Sequence, residues 1–180
     1  MSYNKLFILG NTADIGARVQ MEKDLSAAAI AKGYTVVKGI DIFPPSLKDP
    51  KPPTTEQILD SLKATGCNAL IVVNLKRKED LKYTRGVNVK GTTPMLSGII
   101  ASSLGYRNTN AEEIKDVNKP GSFAYQDGFF ITSDLVDAST QIVVHSNISD
   151  MIEYSKLNTL GKEYFTNLIK QLEKNKMLKK

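Results

Sequence analysis

The segment Asn68-Ala-Leu-Ile-Val-Val-Asn-Leu75 constrains this chain more than any other. It is the strongest strand-forming stretch in the sequence. Its apolar residues run on without the alternation of a one-sided strand, which predicts burial on both faces.

The upstream residues supply what such a strand needs. Lys5-Leu-Phe-Ile-Leu-Gly10 is a short apolar run ended by glycine and reads as a first buried strand. A helix is predicted from about Ala17 to Ala31, with Gly33 just past its end in the usual stop position. Val19, Leu25, Ala28 and Ala29 are expected on its inner face. Tyr34-Thr-Val-Val-Lys38 reads as a second strand. Pro44, Pro45, Pro50, Pro52 and Pro53 then predict an extended loop over 39–53. Thr54 offers a helix N-cap, with Gln57 completing a capping box, and Gly66 is placed to end that helix. The order β-α-β-α-β argues for a partly parallel sheet with helices packed on it.

Downstream, residues 76–127 are the least legible part. Lys76, Arg77, Lys78, Lys82, Arg85 and Lys90 make a basic stretch, and Met95, Leu96, Ile99, Ile100 and Leu104 an apolar patch. A loop of such length inside a compact domain is improbable, so a further strand is expected there. Residues 128–136 and 140–148 are β-rich and separated by Asp137-Ala-Ser139, which predicts an antiparallel hairpin. His145 is expected on the same face as Gln141 and Val143. A final helix should start near Asn158 or Thr159. Its Leu160, Tyr164, Phe165, Leu168, Ile169 and Leu172 fill one half of the helical circumference. The expected fold is therefore α/β. It has a mixed sheet with a β-α-β-α-β start, a C-terminal antiparallel hairpin and an amphipathic C-terminal helix, in a single domain over 1–180.

The 180-residue length suits one domain, and the 41% hydrophobic and 24% charged composition is that of a folded chain. Cys67 is the only cysteine, so no disulfide within the chain is available. No apolar run is long enough to span a membrane. The chain enters a strand-like run directly after Met1-Ser2-Tyr3-Asn4, leaving no room for a secretion signal. The expected location is periplasmic or outer-membrane-anchored if residues were removed upstream of Met1, and otherwise cytoplasmic. Lys156, Lys162, Lys170, Lys174, Lys176, Lys179 and Lys180 face only Glu163 and Glu173 within 156–180. That excess equals the whole net charge of +5. Without aromatic residues among the outward lysines, no specific nucleic-acid site is expected.

Candidate chemistry is sparse. Gly10-Asn-Thr-Ala-Asp14-Ile-Gly16 lies between a first strand and a helix, where dinucleotide folds place a glycine-rich turn. Gly10 and Gly16 match the outer glycines of short-chain dehydrogenases, but the middle position is Asp14, which repels a pyrophosphate. Their Tyr-x-x-x-Lys spacing occurs only at Tyr34–Lys38, inside the second strand. Arg18 and Glu22 read as an exposed i,i+4 ion pair. A functional alternative is an anion held at the helix N-terminus by Asn11, Thr12 and Arg18. Cys67 reads as an inert core thiol and His145, the only histidine, as structural. No catalytic residue, metal or cofactor is expected.

The order of elements resembles the small uncharacterised lipoproteins of the bacterial cell envelope. The resemblance is carried by Lys5–Leu9, Glu22-Lys-Asp-Leu25, Lys32-Gly-Tyr-Thr-Val-Val37, Phe43-Pro-Pro45, Thr54-Thr-Glu-Gln57, Gly66-Cys-Asn-Ala-Leu-Ile-Val-Val73, the hairpin, and a closing helix with Leu178 near the end. It implies an envelope location and no known enzymatic activity. The first expectation is thus a non-catalytic binding or structural protein of the envelope whose partner the sequence does not identify, an envelope protein and an anionic membrane surface being the candidates. The alternative is a cytosolic nucleotide-binding protein or NAD(P)-dependent enzyme using the 10–16 turn.

Overall fold

The apolar run forms the central strand. The computed structural model describes residues 2–12, 14–45, 53–77, 96 and 129–179. The strands are β1 (Lys5–Gly10), β2 (Thr35–Lys38), β3 (Ala69–Arg77), β4 (Phe129–Asp137) and β5 (Val143–Ile148). The helices are α1 (Ile15–Ala31), α2 (Gly39–Ile42), α3 (Thr55–Thr65) and α4 (Leu157–Lys174), the last preceded by a 3-10 turn at Tyr154–Lys156. The sheet order is β2-β1-β3-β4-β5. β1 pairs in parallel with β2 and β3, while β4 and β5 are antiparallel neighbours. The α/β class, the mixed sheet, the hairpin and the C-terminal helix agree with the sequence reading.

Each strand sends alternate side chains to opposite faces. Leu6, Ile8, Ala69, Ile71, Val73, Ile131 and Leu135 pack against α1 and α4, meeting Met21, Leu25, Ala29, Phe165, Leu168, Ile169 and Leu172. Phe7, Leu9, Leu70, Val72 and Val136 face the other way, towards Ile58 and Leu62 of α3 and Leu96. Helices on both faces explain why 69–75 carries apolar residues at successive positions. Apart from Leu96, the apolar patch of 94–106 and the basic residues beyond Arg77 lie outside the described residues.

Local signals set several element ends. Thr54 and Gln57 exchange the reciprocal bonds of a capping box at the start of α3, and Gly66 ends it at φ 66°. α1 begins at Ile15 because Asp14 caps it, its carboxylate accepting from Ala17 N–H at 2.9 Å. The loop expected over 39–53 is corrected in its first part. Residues 39–42 form a turn of helix, and proline enters only at Pro44, which halts the helix one residue earlier at Phe43.

The inner face of α1 also needs correction. Ala17, Met21, Leu25 and Ala29 recur at i, i+4, i+8 and i+12 and fix the phase. Val19 then falls on the opposite side and is exposed, as is Ile30. Arg18, Glu22, Asp24 and Ser26 are buried instead. The helix turns polar groups inward and part of its apolar surface outward, and the next section gives the reason for Arg18 and Glu22.

The hairpin carries a bulge. Leu135 pairs with His145, but Val136 pairs with Val143, so Val144 is an extra residue. Val143 packs towards the α3 side, whereas His145 lies opposite Leu135 on the α1/α4 side. The shared face expected for these two residues is therefore broken by the bulge.

Candidate functional site

In an open α/β sheet, ligands bind outside the carboxyl ends of the strands. The carboxyl ends of the parallel neighbours β1 and β3 lie side by side. The chain leaves β1 through α1 on one face and reaches β3 through α3 on the other. Asn11, just after β1, and the end of β3 border this place.

The protein's own polar groups close it. Asn11 extends the β1–β3 ladder by donating its N–H to the Val73 carbonyl at 2.7 Å. Its side-chain amide donates to Asn74 Oδ1 at 2.9 Å, tying the two strand ends together. Asn74 is buried. Thr12 Oγ1 accepts from Asp14 N–H at 3.3 Å.

Arg18 and Glu22 sit beneath this turn. The sequence reading of an exposed pair is overturned: the Glu22 side chain is 0% exposed and that of Arg18 10%. Glu22 Oε1 accepts from Gly10 N–H at 2.9 Å and from Arg18 Nε at 3.2 Å. Its Oε2 accepts from Ile40 N–H at 2.6 Å. Arg18 also donates to the Phe43 carbonyl at 2.8 Å. One carboxylate thereby joins the end of β1, α1 and the start of α2. The fit is tight at two glycines. A Cβ at Gly10 would meet Arg18 Cγ at 2.9 Å, and one at Gly39 would meet Leu9 Cδ1 at 2.9 Å and the Ile8 carbonyl at 3.0 Å.

The residues assigned to an anion, Asn11, Thr12 and Arg18, do lie around one turn. Each makes a hydrogen bond inside the protein, and the Asp14 carboxylate caps the helix N-terminus. Tyr34 and Lys38, the other dinucleotide signal, have separate partners: the Tyr34 hydroxyl donates to Glu173 Oε1 at 3.0 Å, and Lys38 pairs with Asp41 at 3.2 Å.

A second polar centre lies at the opposite end of the sheet and was not legible in the sequence. Asp137 ends β4. Its Oδ1 accepts from the N–H and hydroxyl of both Ser139 and Thr140, and its Oδ2 accepts from the Tyr3 hydroxyl at 2.9 Å. Burial alone would raise the Asp137 pKa. The Ser139 and Thr140 donors and the Tyr3 hydroxyl outweigh it and hold the group down at about 2. The partner tyrosine is pushed up to about 12, first by burial and then by its bond to this carboxylate. These residues border an open cleft of about 480 Å³, lined also by Ser2, Leu62, Lys63, Gly66, Cys67 and Asn68.

Cys67 belongs to the core on the α3 side and is 6% exposed. His145 lies across the sheet from it, with Nε2 buried and no hydrogen-bond partner among the described residues. The two cannot act as a nucleophile–base pair, which needs hydrogen-bond contact. A thiol wedged between a helix end and the central strand is expected to react slowly. Labelling with a thiol reagent in native buffer should be far slower than in denaturant, and rapid, complete labelling would contradict this. Among the described residues no group of His, Cys, Asp and Glu is arranged to hold a metal ion, and no helix is long and apolar enough to cross a membrane.

No protein-family model and no curated protein matches this chain. Among solved structures, TolB from Acinetobacter baumannii is similar at 14% identity and a TM-score of 0.42, over 97% of this chain. The chain spans 29% of the length of that TolB. A PelC dodecamer from Paraburkholderia phytofirmans is similar at 11% identity and a TM-score of 0.43, over 93% of this chain and 86% of that one. A second PelC dodecamer from the same organism gives 11% and 0.42, over 99% and 90%. Values of this size do not establish a common fold.

Proposed function

We propose that this protein is a non-catalytic binding or structural protein of the bacterial cell envelope. The observation that carries the non-catalytic part is how the protein's own polar groups join the carboxyl ends of β1 and β3. Glu22 takes the N–H of Gly10 and of Ile40, and Asn11 joins Asn74 across the gap. The Asp14 carboxylate caps the N-terminus of α1, adding repulsion to any incoming phosphate. The envelope location rests on the lipoprotein resemblance of the element order.

Two measurements test the parts separately. Thermal unfolding in the presence of millimolar NAD, NADP, ATP or GTP is expected to leave Tm unchanged, since a ligand that binds only the folded state must raise it. A saturable rise with any of them would move the reading to a nucleotide-binding protein using the 10–16 turn. Fractionation of cells expressing the protein from its own gene is expected to place it with the envelope, and recovery in the cytosol alone would remove that location.

A further inference from the structure

We propose that the end of the fold where residues 3 and 178 meet is a docking surface for an anionic lipid bilayer. The three long helices all finish there, α1 just before Lys32, α3 just after Lys63, and α4 at Lys174, with Lys176 and Lys179 following. β1 starts there at Lys5, whose amino group lies 3.8 Å from where a Cβ on Gly66 would stand. Hydrogen bonds lock these pieces together. Tyr3 N–H donates to the Met177 carbonyl at 2.8 Å, Lys179 N–H to the Tyr3 carbonyl at 3.0 Å, and Asn68 N–H to the Lys5 carbonyl at 3.0 Å. Lysines from four separate elements thus share one end of the molecule, and Lys63 also lines the cleft beside Asp137.

Among the described residues, the acids at this end are already engaged. Asp137 is buried and holds Tyr3 and the 139–140 turn, while Glu173 pairs with Lys32 at 3.3 Å and accepts from Tyr34. Lys63, Lys174, Lys176 and Lys179 are exposed and pair with no acid among the described residues. Cations favour helix C-termini, yet the free carbonyls here do not need them. The N–H groups of Gly66 and Cys67 close α3, and those of Asn175, Lys176 and Met177 close α4. Lys176 even stands at φ 59°, a left-handed position where glycine costs less.

The chemistry fits a diffuse anionic surface better than a nucleic acid. Among the described residues, the tyrosines at this end, Tyr3 and Tyr34, are buried with their hydroxyls bonded to carboxylates and present no ring for base stacking. The charges are all lysine, point charges without the forked geometry that grips individual phosphates. Clustered lysines of this kind attract anionic headgroups and lose their hold as salt rises. The surface deepens the envelope reading and takes from it the choice of a bilayer as the polyanion.

The test is co-sedimentation of the full chain with vesicles of phosphatidylcholine, with and without one third phosphatidylglycerol, at low salt. Binding is expected only with phosphatidylglycerol. The triple variant Lys63→Gln, Lys174→Gln, Lys179→Gln should weaken it roughly hundredfold, about fivefold for each lysine removed. The control variant Lys38→Gln, Lys156→Gln, Lys162→Gln removes equal charge elsewhere and should change it by less than about threefold. Equal loss in both variants, absence of binding to the anionic vesicles, or tighter binding to an oligonucleotide at the same salt would overturn the surface. An envelope-resident protein that ignores the vesicles loses this surface and keeps its location. A cytosolic protein that binds them in the stated pattern keeps the surface and loses the envelope reading.

Discussion

Glu22→Ala is expected to cost about 3–5 kcal/mol, the usual penalty for removing one partner of a buried ion pair. In a chain of this size that corresponds to a fall in Tm of roughly 6–20 °C. The substitution leaves the Arg18 guanidinium buried beside a void and strips the acceptor from Gly10 N–H and Ile40 N–H together. Arg18→Met should cost less. Glu22 then keeps both backbone donors, and a methionine stem replaces the buried part of the arginine. Urea unfolding followed by circular dichroism measures both. A Glu22→Ala penalty below about 1 kcal/mol, or one smaller than that of Arg18→Met, would mean that the carboxylate does not hold β1, α1 and α2 together.

Asp137→Ala is expected to cost about 2–4 kcal/mol, because several donors lose their acceptor and the buried Tyr3 hydroxyl is left unpaired. The same carboxylate gives the protein a defined acid response. Its folded pKa of about 2 lies below the ordinary 3.8. The stabilisation is therefore complete above the ordinary value and is lost as pH falls from there through about 2. The tyrosine acts in the opposite sense: its folded pKa of about 12 exceeds the ordinary 10.0, so its contribution holds below pH 10 and fades as pH rises through 12. Urea midpoints between pH 5 and 2 should drop more steeply for the wild type than for Asp137→Asn, which has no carboxyl to titrate. Parallel acid profiles would show that this carboxylate is not coupled to folding.

These two centres also mark where sequence reasoning stops. The end of β4 is visible as turn chemistry at 137–139, but the partner that makes Asp137 a tertiary clamp is Tyr3, 134 residues away. Glu22 appears in the sequence as one half of an i,i+4 pair, and that bond is present. What changes its character is the arrival of Gly10 N–H and Ile40 N–H, from 12 and 18 residues off, which requires the sheet and α2 to be in place. Glycine at 10 and 39 is the one signal that could have warned of it, since both positions exclude a side chain beside this cluster.

By itself the sequence determined the elements whose causes are local. The capping box of Thr54 and Gln57 acts over three residues, the apolar half of α4 repeats with the helical period, and the run 68–75 already implied cover on both faces. Such features are legible because backbone geometry converts sequence spacing directly into spatial direction. Tertiary structure alone decided the rest. It turned the polar side of α1 inward, because Met21, Leu25 and Ala29 outweigh Val19 once the sheet offers one flat surface to pack on. It moved His145 across the sheet through a bulge that one strand cannot reveal without its partner. It gathered Lys5, Lys32, Lys63 and Lys174 at one end: α1 and α3 return to the starts of β2 and β3, and the chain after α4 meets Tyr3 just before the start of β1. Their convergence depends on chain direction in space, which residue spacing does not encode.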